Sequence, residues 1–132
     1  MSKERESVFA FRDRGPEKLS NPTCCISYKN RFLVCDGGNQ CIKVFHQPGT
    51  FLYKFGKEGN QDGEFNWPYY LLVDSSDNLR DTDNDRVQQF SPDGRFTGKS
   101  ITRLPKHFGI VAAPDGRILV TSGQDNKVFI LK

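Results

Sequence analysis

Residues 36–45 read DGGNQCIKVF, and residues 81–90 read DTDNDRVQQF. Laid over one another at a shift of 45, they match at Asp36/Asp81, Asn39/Asn84, Ile42/Val87 and Phe45/Phe90. Residues 122–131, SGQDNKVFIL, repeat the pattern more loosely at a shift of 41, with Val128 and Leu131 at the two apolar places. The surroundings recur as well. A proline precedes each core (Pro22, Pro68, Pro105), followed by an apolar run (CCIS, YLLV, GIVAA) and a turn (YKNR, DSSDN, APDGR). After the first two cores come a second turn and an aromatic-bearing segment, QPGTFLYKF and SPDGRFTGK. Each unit therefore reads as about four short strands divided by turn residues. A period of about 40–45 residues with four strands is the signature of a β-propeller blade. The fold class is all-β, with blade units near 19–56, 65–100 and 104–132.

Between the first two units lies FGKEGNQDGEFNWP, residues 55–68, with Gly56, Gly59 and Gly63 in a polar loop. A glycine-rich phosphate cradle needs a helix to follow, or the Lys-Ser/Thr of a P-loop, and neither is present. The loop instead joins the last strand of one blade to the first of the next. Pro68 opens that strand, where no ladder donor is required.

Composition agrees with one compact β-rich unit. The chain has 132 residues, 36% apolar and 27% charged, with eleven Phe and four Tyr to build a core. Its net charge of +3 permits nucleic-acid contact without arguing for it. No apolar run reaches the about 18 residues of a membrane span. The charged start MSKERESV lacks the apolar segment of a secretory leader, so the expected location is the cytoplasm. Cys24, Cys25, Cys35 and Cys41 contain no CxxC pair, and His46 and His107 do not complete a zinc spacing. Buried reduced thiols are expected, with no metal and no cofactor.

FGKEGNQDGEFNWPYYLLVD, followed by DNDRVQQFSPDGRF, resembles the NHL repeat and is most similar to the propellers of the tripartite-motif NHL proteins. The residues that carry the resemblance are Phe55, Gly56, Gly59, Gly63, Phe65, Pro68, Val73, Asp74, Asp81, Asn84, Arg86, Val87, Gln88 and Phe90. The resemblance implies a six-bladed propeller serving as the recognition module of a ubiquitin ligase. Its partner would be a protein, most readily a ubiquitination substrate, or single-stranded RNA. Ligase chemistry needs a zinc-binding RING array absent from this sequence, so the chain itself is expected to be non-catalytic. A metal-dependent propeller hydrolase or lyase is the alternative, and a structural fragment without autonomous activity is another.

Two departures from the pattern stand out. In the second unit DNLR runs straight into DTDNDR, about two residues short of the first unit, which predicts a frayed or distorted second strand with Arg80 near an apolar position. Asn-x-Arg is also lost in the first unit, where Cys41 stands, and in the third, which reads DNK. SVFAF at 7–11 reads as the last strand of a preceding blade, giving about twelve strands, or half of a six-bladed ring. A longer chain is the favoured explanation, and a homodimer that completes the ring the other.

In a propeller the loops between strands four and one, and between strands two and three, share one face. Arg12, Arg14, Lys18, Lys57, Trp67, Tyr69, Arg86, Arg103, Lys106, His107 and Lys127 fall on that face and form the candidate partner or RNA surface. Glu17, Glu58, Asp62, Asp83 and Asp85 share it. The alternating acids of DTDNDR suggest a calcium loop. That reading fails because Arg86 stands where glycine is needed and Pro92 where glutamate is needed. His107 has no nucleophile in a recognisable motif beside it, and PDG at 92–94 and 114–116 is turn chemistry on the opposite face.

Overall fold

A computed structural model describes residues 18–47, 49–83, 86–101, 109–122 and 126–131. Among them eleven strands form three antiparallel sheets, of four, four and three strands. The first sheet runs β1 (Pro22–Tyr28), β2 (Arg31–Asp36), β3 (Cys41–His46) and β4 (Thr50–Phe55), in that spatial order. The second runs β5 (Tyr70–Val73), β6 (Leu79–Asp83), β7 (Arg86–Phe90) and β8 (Phe96–Ile101). The third contains β9 (Gly109–Ala112), β10 (Ile118–Ser122) and β11 (Lys127–Leu131). Every neighbour in a sheet is also its neighbour in sequence, so each sheet is a meander. The first strands of successive sheets lie side by side, β1 with β5 and β5 with β9. This is the arrangement of propeller blades around a common axis, and the all-β partial-propeller reading stands. The strand expected at 7–11 lies outside the described residues.

Alternation decides which faces meet. Leu33, Cys35, Ile42 and Val44 of the first sheet, Phe65 of the glycine loop, and Leu71, Leu79 and Phe90 of the second form one buried cluster. Phe90 sits among three rings, with centroids 5.5 Å from Phe55, 5.4 Å from Phe65 and 5.9 Å from Phe96. Val87 leaves the other side of the same strand and joins Ile118 and Val120 of the third sheet in a smaller cluster. The middle sheet is therefore covered on both faces, and β7 is buried at all five positions.

The short second strand is not frayed. β6 pairs with β5 from Val73↔Leu79 to Tyr70↔Thr82, and with β7 from Leu79↔Phe90 to Asp83↔Arg86. The shortage falls in the turn: residues 37–40 separate β2 from β3, whereas only 84 and 85 separate β6 from β7. As a result Asp83, opposite Arg86, takes the place of Asp36, which is opposite Cys41. Asp81 shifts to a fully buried site opposite Gln88. The cysteines also divide against expectation. Cys35 and Cys41 are buried, Cys24 is half-buried and Cys25 is exposed.

Arg80, opposite Leu72 and Gln89, stands at the place that the apolar Leu33 holds in the first sheet, and its Nε donates to Asp74 Oδ2 at 2.9 Å. Asp74 caps the β5–β6 turn, accepting from the Ser76 and Asn78 N–H groups at 2.9 and 3.0 Å and from Gln89 Nε2 at 3.0 Å. Burial is the largest single influence on this carboxyl and pushes its pKa up. The bonds from Arg80, Asn78, Gln89 and Ser76 together outweigh it and hold the group below its ordinary 3.8. A carboxyl whose pKa is lower folded than unfolded stabilises the fold above its unfolded value, and that contribution is lost as pH falls through the folded value. Stability should therefore fall steadily below about pH 4. Asp74→Asn should lower stability at neutral pH by about 1–3 kcal/mol and flatten that acid limb, as measured by urea unfolding between neutral and acid pH.

Candidate functional site

The loop from residue 56 to 67 links the first two sheets and is shaped from β7. Arg86 turns its guanidinium into the loop. Nη1 donates to Asn60 O and Gln61 O, both at 3.1 Å, and Nη2 to Glu64 O at 2.5 Å and Gly59 O at 3.5 Å. Gln88, two residues along on the same face, donates to Glu64 O and accepts from the Gly63 N–H, both at 2.8 Å. Phe65 closes the loop, with its N–H on Lys57 O at 2.8 Å and its O accepting from Gly59 N–H at 2.9 Å. Gly56, at φ +95°, lies so close to the Phe65 ring that a Cβ would overlap it. The carbonyls thus converge inward on a cation, the opposite polarity from a phosphate cradle, which presents N–H groups outward. Arg86 is only 9% exposed. It organises the loop rather than standing on the outer surface with the other residues grouped with it.

What the loop presents is aromatic. Trp67 is 38% exposed and Tyr69 41% exposed. Trp67 adopts φ +60° and its N–H donates to Gln40 Oε1 at 2.6 Å, while the Tyr69 N–H donates to Thr82 O at 2.8 Å. The β2–β3 turn beneath them is anchored by buried charge: Lys43 Nζ lies 3.1 Å from Asp36 Oδ2, and Asn39 Nδ2 donates to the same oxygen at 2.7 Å. Lys57 is exposed and meets Glu64 Oε2 at 3.5 Å. Lys18 and Lys127 are exposed too, as are Glu58 and Asp62. Of the other motif positions, Pro68, Asp74, Asp81 and Phe90 are buried. Arg12, Arg14, Asn84, Arg103, Lys106 and His107 lie outside the described residues. Among the described residues no three His, Cys, Asp or Glu side chains gather as a metal centre.

A second cleft, at the opposite end of the sheets, escaped the sequence reading. It has a volume of about 300 Å3 and is lined by Tyr28, Lys29, Arg31, Leu33, Val44, Tyr53 and Pro92. Arg31 lies 5.8 Å from the Tyr53 ring centre and Nη1 donates to its hydroxyl at 3.2 Å, and that hydroxyl donates to Pro92 O at 3.2 Å. Lys29 sits 5.2 Å from the Tyr28 ring centre, and its hydrogen bond with Tyr28 raises its pKa. Its sequence signal is weak, because YKNR and PDG read simply as turns.

No protein-family model matches the chain, and no curated protein matches it. Solved structures do. A candidate exported protein of Bacteroides fragilis superposes with a TM-score of 0.71 at 21% identity, over 83% of this chain and 32% of that one. A streptogramin B lyase matches with a TM-score of 0.64 at 14% identity, over 89% of this chain and 42% of the lyase. Virginiamycin B lyase of Staphylococcus aureus matches with a TM-score of 0.59 at 17% identity, over 83% and 40%. The chain spans well under half the length of these structures. At such identities they share its propeller-type fold and leave the tripartite-motif family unconfirmed. Two expectations are corrected. A missing RING array does not make the chain non-catalytic, because two structures of this fold are lyases. The cytoplasmic placement loses its ground as well, since a structure of the same fold is a candidate exported protein.

Replacing Arg86 with Ala should take one donor from each of the carbonyls of residues 59, 60, 61 and 64 and lower stability by about 2–4 kcal/mol. Arg86→Lys should recover little of this, because an ammonium cannot reproduce the fork. Chemical denaturation of both variants measures the difference.

Proposed function

We propose that the chain is a segment of an NHL-type propeller whose glycine-loop face binds a protein partner. The observation that carries this reading is the pair of exposed rings, Trp67 and Tyr69, held in place by backbone hydrogen bonds to neighbouring strands and turns. Large aromatic side chains on a rigid base are the residue types that dominate protein–protein affinity. Their surroundings favour a protein over a polyanion. Lys57 is engaged by Glu64, and Glu58 and Asp62 are exposed on the same loop.

Trp67 is the only tryptophan in the chain, so its fluorescence reports on this face directly. A random-sequence single-stranded RNA should leave its emission unchanged at physiological salt. Salt-sensitive quenching by that RNA would replace the protein reading with base stacking. Once a partner protein is in hand, Trp67→Ala should weaken its binding by about tenfold or more, and Lys57→Ala by less than about threefold.

The third sheet exposes Val111, Val128 and Ile130, at 56%, 60% and 55%. Val111 and Ile130 flank Leu119 in register, and Val128 lies opposite Thr121. We infer that a further blade of a longer propeller chain covers this face. Light scattering on the 132-residue chain should then show a monomer of 15.0 kDa, or open-ended association, but no closed species. A stable particle of twice that mass would make a second copy the other half of the ring.

A further inference from the structure

Cys24 of β1 and Cys35 of β2 are direct cross-strand partners, and both thiols are free. Residues so paired have Cα atoms about 4.5–5.5 Å apart, within the about 4.4–6.8 Å that a disulfide spans. The pair sits at the seam between the first two sheets. Cys35 is fully buried, its Sγ 3.7 Å from Asp81 Oδ1 on β6. Cys24 packs half-buried against the same apolar cluster.

The environments of the two sulfurs differ in a way that divides their roles. The hydrogen bond between the two thiols brings the Cys24 pKa down to about 6 against the upward push of burial, with a backbone bond from Leu71 adding to the lowering. The same bond, burial and the nearby Asp81 hold Cys35 well above its ordinary value. A reachable thiolate therefore stands in front of a buried thiol. Cys25, though exposed, is the next residue along the strand, points to the other face and pairs with Val34.

We propose that Cys24 and Cys35 form a redox-active dithiol, which a hydroperoxide converts to a cross-strand disulfide at the seam between the first two sheets. The Cys24 thiolate attacks one peroxide oxygen, the O–O bond breaks, and the departing hydroxide or alkoxide takes a proton from solvent. Cys24 is left as a sulfenic acid. The Cys35 sulfur attacks that sulfur, the S–S bond forms, and the S–O bond breaks. The Cys35 proton leaves with the hydroxyl as water. Two electrons pass from the dithiol to the peroxide, and a small-molecule thiol reverses the change by exchange. The disulfide also withdraws the Cys35 S–H from Asp81 and the Cys24 sulfur from Leu71, so oxidation is felt in the second sheet.

The test treats the intact wild-type chain with one equivalent of hydrogen peroxide and maps its peptides under non-reducing conditions. The expected product links Cys24 to Cys35, is reversed by dithiothreitol, and forms equally in Cys25→Ser. Oxidation confined to Cys25, or an intermolecular bond through Cys25 with Cys24 and Cys35 unlinked, would overturn the proposal. Independently, iodoacetamide should modify Cys24 before Cys25 in the native wild-type chain. In Cys35→Ala, Cys24 alkylation at neutral pH should slow by about fourfold, since the gain in thiolate is offset in large measure by lower intrinsic nucleophilicity. If Cys24 is no faster than Cys25 in the wild type, the dithiol has no activated member and the proposal fails, whether or not the variant folds.

Discussion

Every sheet in this chain has two faces to cover, and one strand shows how that is done. β7, RVQQF, lies at the centre of the three-sheet stack and has no exposed residue. Its odd positions serve different neighbours from its even ones. Arg86, Gln88 and Phe90 face the glycine loop and the first sheet. Val87 faces the third sheet, while Gln89 bonds to Asp74 and Thr97. Two apolar side chains supply the burial, and three polar ones are tolerated because each finds partners. Replace any of them with a group lacking those partners and a covered face becomes an unsatisfied one.

The period was legible because turn residues and apolar pairs recur at nearly constant spacing. Register was less so. Asp36 and Asp81 match by letter at a shift of 45, and that match suggested a truncated strand. The energetics favour another alignment. Leu79 opposite Phe90 does the work of Phe32 opposite Phe45, and keeping that apolar pair leaves the shortage to the turn. A slip by one residue would have sent Leu79 to the wrong face, whereas shortening a hairpin turn costs little. The apolar pairs rather than the acidic ones hold the register, and they set Asp83 opposite Arg86.

Charge misled for a related reason. A basic residue in a polar loop sequence reads as surface, and on that ground Arg86 falls among the surface cations. Its ligands are backbone carbonyls about 25 residues away in sequence, which no local pattern announces. Lys43 is likewise inside, 1% exposed and bridged to Asp36, and Arg80 is tied to Asp74. Cations held this way fix turns and loops. They contribute little to the field a partner meets, so the formal charge of +3 is a poor guide to the glycine-loop face. The rings of Trp67 and Tyr69 define that face better than its charge does. The aromatic cleft at the opposite end is not legible in the sequence because Tyr28, Lys29 and Arg31 at the β1–β2 turn meet Tyr53 of β4 and Pro92 of the β7–β8 turn only in the folded sheets.

The two seams are unequal, and this orders the molecule. The interface between the first and second sheets gathers eight buried residues and a cluster of phenylalanines. The interface with the third gathers three. Apolar burial scales with area, so the first pair of sheets forms a cohesive unit and the third is held more lightly, with its outer face still uncovered. Both the glycine loop and the Cys24–Cys35 pair belong to the stronger seam. A partner bound at Trp67 and Tyr69 therefore rests on the best-packed half of the chain, and a covalent change at the dithiol acts on that same half, a few residues from the loop's anchoring core at Leu71.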